Sequence, residues 1–292
     1  MTQLEAAALG VLQGITEFLP VSSSGHLVIA ETLLGVKPPG VGFEVALHVG
    51  TLLAVLLYFG RDVWLILRSC ALAAAAAVRP RAWGRARGQE KERGWRGKGA
   101  VDANYRLAWL IIVGTVPAAL VGVALRPLFE SLFFSPAAVA AMLITTGVLL
   151  WLAQVPRRLR VRAASDLGVA EALAIGVLQA AAIAPGLSRS GATIAGGLLL
   201  GVERADAARF SFLLSLPAVA GAALLSLTGS AGALAEVGAA TLLIGAATAA
   251  VSGYVAIVLL LRVLRAGRLF GFAVYCWALG LLLLIAHGVG LA

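Results

Sequence analysis

The sequence predicts an all-α integral membrane protein with six transmembrane helices and two re-entrant helical hairpins arranged as an inverted repeat. Composition gives the first part of that reading. Of 292 residues, 61% are hydrophobic and 13% charged, at a mean hydropathy of +0.97, whereas a water-soluble domain carries about 25% charged residues. A lipid-embedded backbone must satisfy its polar groups internally. Long Ala- and Leu-rich runs without strand-length alternation therefore indicate helices rather than a barrel. The second observation is a set of apolar runs of spanning length, and the third is a pair of broken apolar segments that are copies of each other.

Crossing a bilayer takes about 20 apolar residues. Six segments reach that length: 43–67, 105–125, 136–155, 207–227, 234–261 and 269–287. Two others do not fit. The run 4–19 is broken by Pro20 and a Ser-Ser-Ser-Gly stretch, with a second short helix expected over 26–34. The run 170–184 is broken by Pro185-Gly186 and followed by a short helix over 191–200. Each reads as a hairpin that enters the membrane and turns back. Adding 166 to any position from Glu5 to Val36 lands on a related residue, with 14 of 32 positions identical and no gap. Shared composition does not produce the matched Glu5/Glu171, Gln13/Gln179 and Ser-x-Ser-Gly. The chain is thus expected to be one membrane domain, 1–292. Repeat one covers 1–155 with its hairpin at 4–35, a basic inner loop covers 61–106, and repeat two covers 167–292 with its hairpin at 169–202.

Three crossings per half place the second copy in the opposite orientation, and the cations agree. With the first hairpin entering from outside, 20 of the 23 Lys and Arg fall on inner segments, as the positive-inside rule requires, and both termini lie outside. The stretch 64–78 is read as an inner-surface continuation of the preceding helix, and the Arg/Gly-rich stretch 79–98 as a topology anchor near anionic lipid heads, not a nucleic-acid site. No cleavable signal is expected, because the first cation is Lys37. Cys70 and Cys276 lie in separate apolar stretches and suggest neither a disulfide framework nor a metal knuckle.

Ionisable residues at membrane depth cost about 2.5 to 3.5 kcal/mol each on insertion scales. The first hairpin nevertheless carries Gln13, Glu17, Ser22, Ser23, Ser24 and His26, and the second carries Gln179, Ser188, Arg189, Ser190 and Thr193. Opposed hairpins bring these together near the midplane. A helix starting after each Ser-x-Ser-Gly, at Gly25 and Gly191, offers N–H groups to an anion. Arg189 adds a fork that holds two phosphate oxygens. The candidate nucleophiles are Ser23 or another serine, His26 and water; His26 is also a candidate proton carrier, while Glu17 is a candidate to orient the histidine or to help hold a divalent cation. The set points to phosphoryl transfer on a lipid whose head is a phosphate. The structural reading of Ser22, Ser24, Ser190 and Thr193, that they satisfy backbone groups freed at the breaks, stands equally. His48 reads as a packing residue, Glu44 as an acid at membrane depth, His287 as interfacial, and Glu5 and Glu171 as acids favoured at helix starts.

Residues Gln13 to His26 and Pro185 to Thr193 resemble the two signature motifs of the undecaprenyl-diphosphate phosphatases, the bacitracin-resistance type, and Ser211 to Pro217 is similar to a further stretch of that family. The resemblance runs the length of the chain. It implies hydrolysis of undecaprenyl diphosphate to the monophosphate and phosphate in the bacterial inner membrane, which recycles the carrier of peptidoglycan synthesis and confers bacitracin resistance. On this resemblance the glutamate motif falls on Gln13 and Glu17, the histidine on His26, the serine on Ser23 and the phosphate-binding arginine on Arg189. Gln13 stands where some members have Glu. A divalent cation, Mg or Ca, is implied by the family alone. The expected partners are the polyprenyl diphosphate and membrane lipids, with a homodimer as an option and no nucleic acid. The rival reading is an inverted-repeat transporter of a lipid or anion. The acid-phosphatase type of lipid phosphatase is disfavoured, because it needs a histidine where this chain has Ala195.

Overall fold

The computed structural model describes residues 1–34, 41–78, 100–155, 161–229 and 237–289, and the basic stretch 79–98 lies outside them. Every named element is helical: α1 Gln3–Phe18, α2 Ser23–Leu34, α3 Val41–Tyr58, α4 Gly60–Val78, α5 Ala100–Ala124, α6 Arg126–Leu132, α7 Pro136–Leu152, a 3-10 turn Ala164–Asp166, α8 Val169–Ala181, α9 Arg189–Leu199, α10 Arg204–Gly229, α11 Ala239–Arg265 and α12 Phe270–Gly288. Among the described residues five helices are long and apolar enough to cross a membrane, or six if α6 and α7, bent by 97° at Phe133–Ser135, count as one span.

Local chemistry starts each hairpin. Glu5 and Thr2 form a reciprocal capping box, with Glu5 N donating to Thr2 Oγ1 at 3.2 Å and Thr2 N to Glu5 Oε2 at 2.7 Å. Its duplicate Glu171 accepts from Gly168 N at 2.7 Å. Arg162 pairs with Glu171 and also donates to Leu200 O at 2.9 Å, so one side chain clasps both ends of the second hairpin. Pro20 ends α1 by forcing Leu19 out of the helical region, to ψ 140.

Three boundaries differ from the sequence reading. The first spanning helix stops at Tyr58, and a separate α4 begins at Gly60. Arg61, Asp62 and Arg68 would put three charges into a straight continuation, and Asp62 instead meets Arg209 of α10 at 2.6 Å. Second, α2 starts at Ser23 and α9 at Arg189, so both Ser-Gly pairs lie inside the first turn rather than ahead of it. Third, α11 begins at Ala239, and the expected start at 234–236 falls outside the described residues.

The hairpins sit against long helices in a paired pattern. α1 packs on α11 and α8 on α5; α3 packs on α11 and α10 on α5; α7 meets α12, and α3 meets α10. Glycine makes the closest approaches. A Cβ at Gly14 would lie 2.1 Å from Ser252 Oγ and 2.4 Å from Ala249 O on α11, and one at Gly176 would lie 2.3 Å from Gly114 O on α5. Among the described residues, α9 packs on α7, α8 and α10, and α2 packs on α1.

Because Ala249 O is backbone, it cannot swing aside, and Gly14→Ala is expected to lower stability by about 1–3 kcal/mol, as overpacking does. Gly60→Ala, where nothing lies within 4 Å, is the control. Thermal unfolding of the two variants in detergent measures the difference.

Candidate functional site

Glu17 occupies the last turn of α1 and is 8% exposed. Ser23 and Arg189 are the first residues of α2 and α9. All three therefore sit where a helix breaks, and the fold brings the two breaks together. Arg189 Nη2 binds Glu17 Oε1 across 172 positions of sequence. Ser23 Oγ donates to Glu17 Oε2 at 2.6 Å, and Gln13 Nε2 donates to the same oxygen at 3.0 Å. The other amide hydrogen of Gln13 is directed at His48 Nδ1, 2.8 Å away, so that nitrogen accepts. A line of contacts runs from His48 through Gln13 and Glu17 to Ser23 and Arg189. His48, read from sequence as a packing residue, thus belongs to the site. Glu44, one turn earlier on α3, is exposed.

His26 takes a different direction from the one expected. Its Nδ1 faces Ser22 O at 2.7 Å and its Nε2 faces the Tyr275 hydroxyl of α12 at 2.6 Å. Glu17 does not orient it. Ser22 itself has φ 69, the left-handed region that costs a non-glycine residue about 1–3 kcal/mol and that concentrates at functional sites.

The remaining polar residues hold the breaks in shape. Ser22 Oγ accepts from Gly25 N at 3.5 Å and lies 3.2 Å from Ser24 Oγ. Ser188 Oγ accepts from Gly191 N at 3.1 Å and lies 3.2 Å from Ser190 Oγ. The Gly25 and Gly191 N–H groups, expected to await an anion, are capped by these serines. Ser190 Oγ donates to Leu19 O at 3.3 Å and so ties one break to the other. Thr193 Oγ1 donates to Arg189 O at 2.8 Å and is 2.5 Å from Ser211 Oγ on α10. Each break also receives a pin from a spanning helix: Thr146 Oγ1 of α7 donates to Gly186 O at 3.2 Å, and Cys276 Sγ of α12 donates to Pro20 O at 3.5 Å. Pro20 and Gly186 are related by the same offset of 166.

The donor set does not fit a cation held by protein alone. Among the described residues no three His, Cys, Asp or Glu side chains gather. Glu17 has both oxygens engaged, and Gln13 Oε1 is one buried oxygen without a partner, where Mg or Ca requires six or more oxygens. What the arrangement offers is a carboxylate within hydrogen-bond reach of a hydroxyl, the geometry of an activated nucleophile, beside a guanidinium fork suited to phosphate oxygens. Tyr275, Thr146, Cys276 and Ser211 were not singled out for the site from sequence. Each lies inside an apolar helix, where spacing does not tell which helix its face will meet.

A chain whose described residues form helices with five or six candidate spans, and in which two helix breaks converge on a partly buried Glu–Arg–Ser cluster, is a multi-pass membrane protein with a polar site among its helices. Residues 6–282 match the model of the family described as bacitracin resistance protein BacA, and the chain belongs to that family. The chain is 44% identical to the undecaprenyl-diphosphatase of Desulfosudis oleivorans over 96% of this chain and 97% of the relative. It is 43% identical to that of Desulforapulum autotrophicum, over 98% and 99%, and 39% identical to that of Methanobrevibacter smithii, over 97% and 96%.

Glu17→Ala leaves the partly buried Arg189 guanidinium without its carboxylate, which is expected to cost about 2–3 kcal/mol, below the range for a fully buried pair. Removing both charges in Glu17→Ala/Arg189→Ala is expected to cost less than the sum of the single changes. A double-mutant cycle on unfolding in detergent checks this coupling.

Proposed function

We infer that this chain hydrolyses undecaprenyl diphosphate to undecaprenyl phosphate and inorganic phosphate, recycling the lipid carrier of peptidoglycan synthesis and conferring bacitracin resistance. The observation that carries the chemistry is Ser23 Oγ at 2.6 Å from a Glu17 carboxylate whose other oxygen is held by Arg189. Full-length likeness to undecaprenyl-diphosphatases supports the substrate.

In the resting site Arg189 neutralises Glu17. A diphosphate head competes for the guanidinium, and as Arg189 turns its fork to the phosphate, Glu17 is freed to act as a base. Ser23 gives its proton to Glu17 as its Oγ bonds to the terminal phosphorus. The bond from that phosphorus to the bridging oxygen breaks, and the lipid monophosphate leaves with the electron pair. Water then attacks the phosphoserine, the Oγ–P bond breaks and inorganic phosphate departs, with His26 Nε2 taking the proton of the attacking water and Glu17 returning its proton to Ser23 Oγ. Ser22, Ser24, Gly25, Ser188, Ser190, Gly191 and Thr193 shape the phosphate pocket by holding the breaks, and Gln13 steadies Glu17. A divalent cation would have to arrive with the diphosphate, since the unpartnered Gln13 Oε1 and the engaged Glu17 carboxylate are all that this chain's described residues would offer it. No step is assigned to it.

The six-span inverted repeat is part of the same proposal. It is supported by the matched packing of α1 on α11 and α8 on α5, and by the matched pins on Pro20 and Gly186. Both termini then face outside the inner membrane, and the cationic segments face inward. Tags at either terminus of the full chain are expected to be reached from outside intact cells. Cleavage of the 79–98 stretch by external protease contradicts the orientation.

Phosphate release from undecaprenyl diphosphate by the detergent-purified chain is the direct test. Arg189→Lys keeps the charge but loses the planar fork, and a fall of at least about 100-fold in rate is expected, the usual scale for one preorganised donor. A trapped phosphoenzyme is expected to carry its label on Ser23 and to be missing from Ser23→Ala. Lipid movement without phosphate release by the parent would favour the transporter reading instead.

A further inference from the structure

The contact between His26 and Tyr275 has no counterpart in the duplicated scaffold. The position matching His26 in the second hairpin is Ala192. The pins themselves relate α7 to α12: Thr146 reaches the Gly186 carbonyl as Cys276 reaches the Pro20 carbonyl. The residue before each pin is then Thr145 or Tyr275. Thr145 is turned back onto its own helix, donating to Ala141 O at 2.8 Å, whereas Tyr275 reaches across to His26.

The hydrogen-bond logic at that imidazole is closed. Ser22 O, 2.7 Å from Nδ1, can only accept, so Nδ1 carries a hydrogen. A neutral imidazole has one, so Nε2 presents its lone pair, and the Tyr275 hydroxyl at 2.6 Å is the donor. The two rings lie nearly parallel, with centroids 5.6 Å apart and planes 10° from one another. The next residue on α12, Cys276, grips Pro20 O in the same break. Two successive residues of one spanning helix therefore fix the loop and the ring that stands on it.

We propose that Tyr275 is a positioning residue for the phosphatase reaction: its hydroxyl holds the His26 imidazole as the Nδ1–H tautomer and aims the Nε2 lone pair. The proposal rests on the reading of His26 as the base of the second step. Tyr275 is 45% exposed, so its hydroxyl can withdraw as the head group arrives, leaving Nε2 already oriented for the proton of the attacking water. The hydrogen bond made by one ring nitrogen of a histidine sets which of the two is basic.

Tyr275→Phe keeps the ring and deletes the donor. In the detergent-purified full chain, kcat for phosphate release is expected to fall roughly three- to tenfold, the worth of one neutral hydrogen bond, with KM within about twofold of the parent. The chain has three histidines, so 15N-histidine labelling gives a simple spectrum in which His26→Gln assigns the His26 signals. The parent Nε2 is expected to resonate as a hydrogen-bonded acceptor and to move to the free-acceptor position in Tyr275→Phe. A ring needed only for packing would leave Tyr275→Phe equal to the parent in both readouts, with loss confined to Tyr275→Ala, and that result overturns the proposal. A shifted resonance with parental kcat overturns it as well. A parent that releases no phosphate while the resonance still moves overturns the phosphatase reading and leaves the contact standing.

Discussion

A carboxylate and a guanidinium inside an apolar helix bundle are each costly, and each becomes tolerable through the other. The Glu17–Arg189 pair is the constraint on which the rest of the site depends, because neither charge can be buried until the two helix breaks have met. The pair joins positions 172 apart in sequence, so it can form only after both hairpins have docked on α11 and α5. Glycine at positions 14 and 176 permits that docking at backbone distance. Serine caps at each break then leave few backbone groups exposed to the apolar surroundings, and the pins from Thr146 and Cys276 fix the carbonyls that the caps do not reach.

Such a pair also gives the resting site a defined electrostatic state. Glu17 meets three donors: Arg189, Ser23 and Gln13. Only the first carries a full charge and only the first belongs to the other hairpin. In the proposed reaction a phosphate draws Arg189 away without disturbing Ser23 or Gln13, which makes substrate binding and base activation the same event. Charge matching across a low-dielectric pocket favours this exchange, since an anion with two or more ionised oxygens is a stronger partner for the fork than one carboxylate.

Much of this was legible in the amino-acid order. Glu17, Ser23 and Arg189 stood out because charge in an apolar run needs a reason, and the 166-residue offset told which break would face which. The capping acids Glu5 and Glu171 followed from helix-end chemistry, and the structure places both as caps. The break at Phe59–Gly60 was missed because hydropathy averages over Asp62, whose tie to Arg209 is tertiary. The same limit hid His48 and Tyr275. Each sits in an apolar helix whose facing neighbour is set by packing, so no local pattern marks it as polar for a purpose. The helix starts at Ser23 and Arg189 fall three and two residues before the expected ones, since a Ser-x-Ser-Gly run reads as a break until one sees the first serine acting as the cap.

Position 23 holds serine and its duplicate, position 189, holds arginine. A dimer of identical half-chains must put the same residue at both tips, and so offers two serines or two arginines but never one of each in contact with a single carboxylate. The split requires both copies to be encoded separately within one gene product. A single continuous chain permits what a symmetric pair of half-chains forbids: a serine from one tip and an arginine from the other meet the same carboxylate.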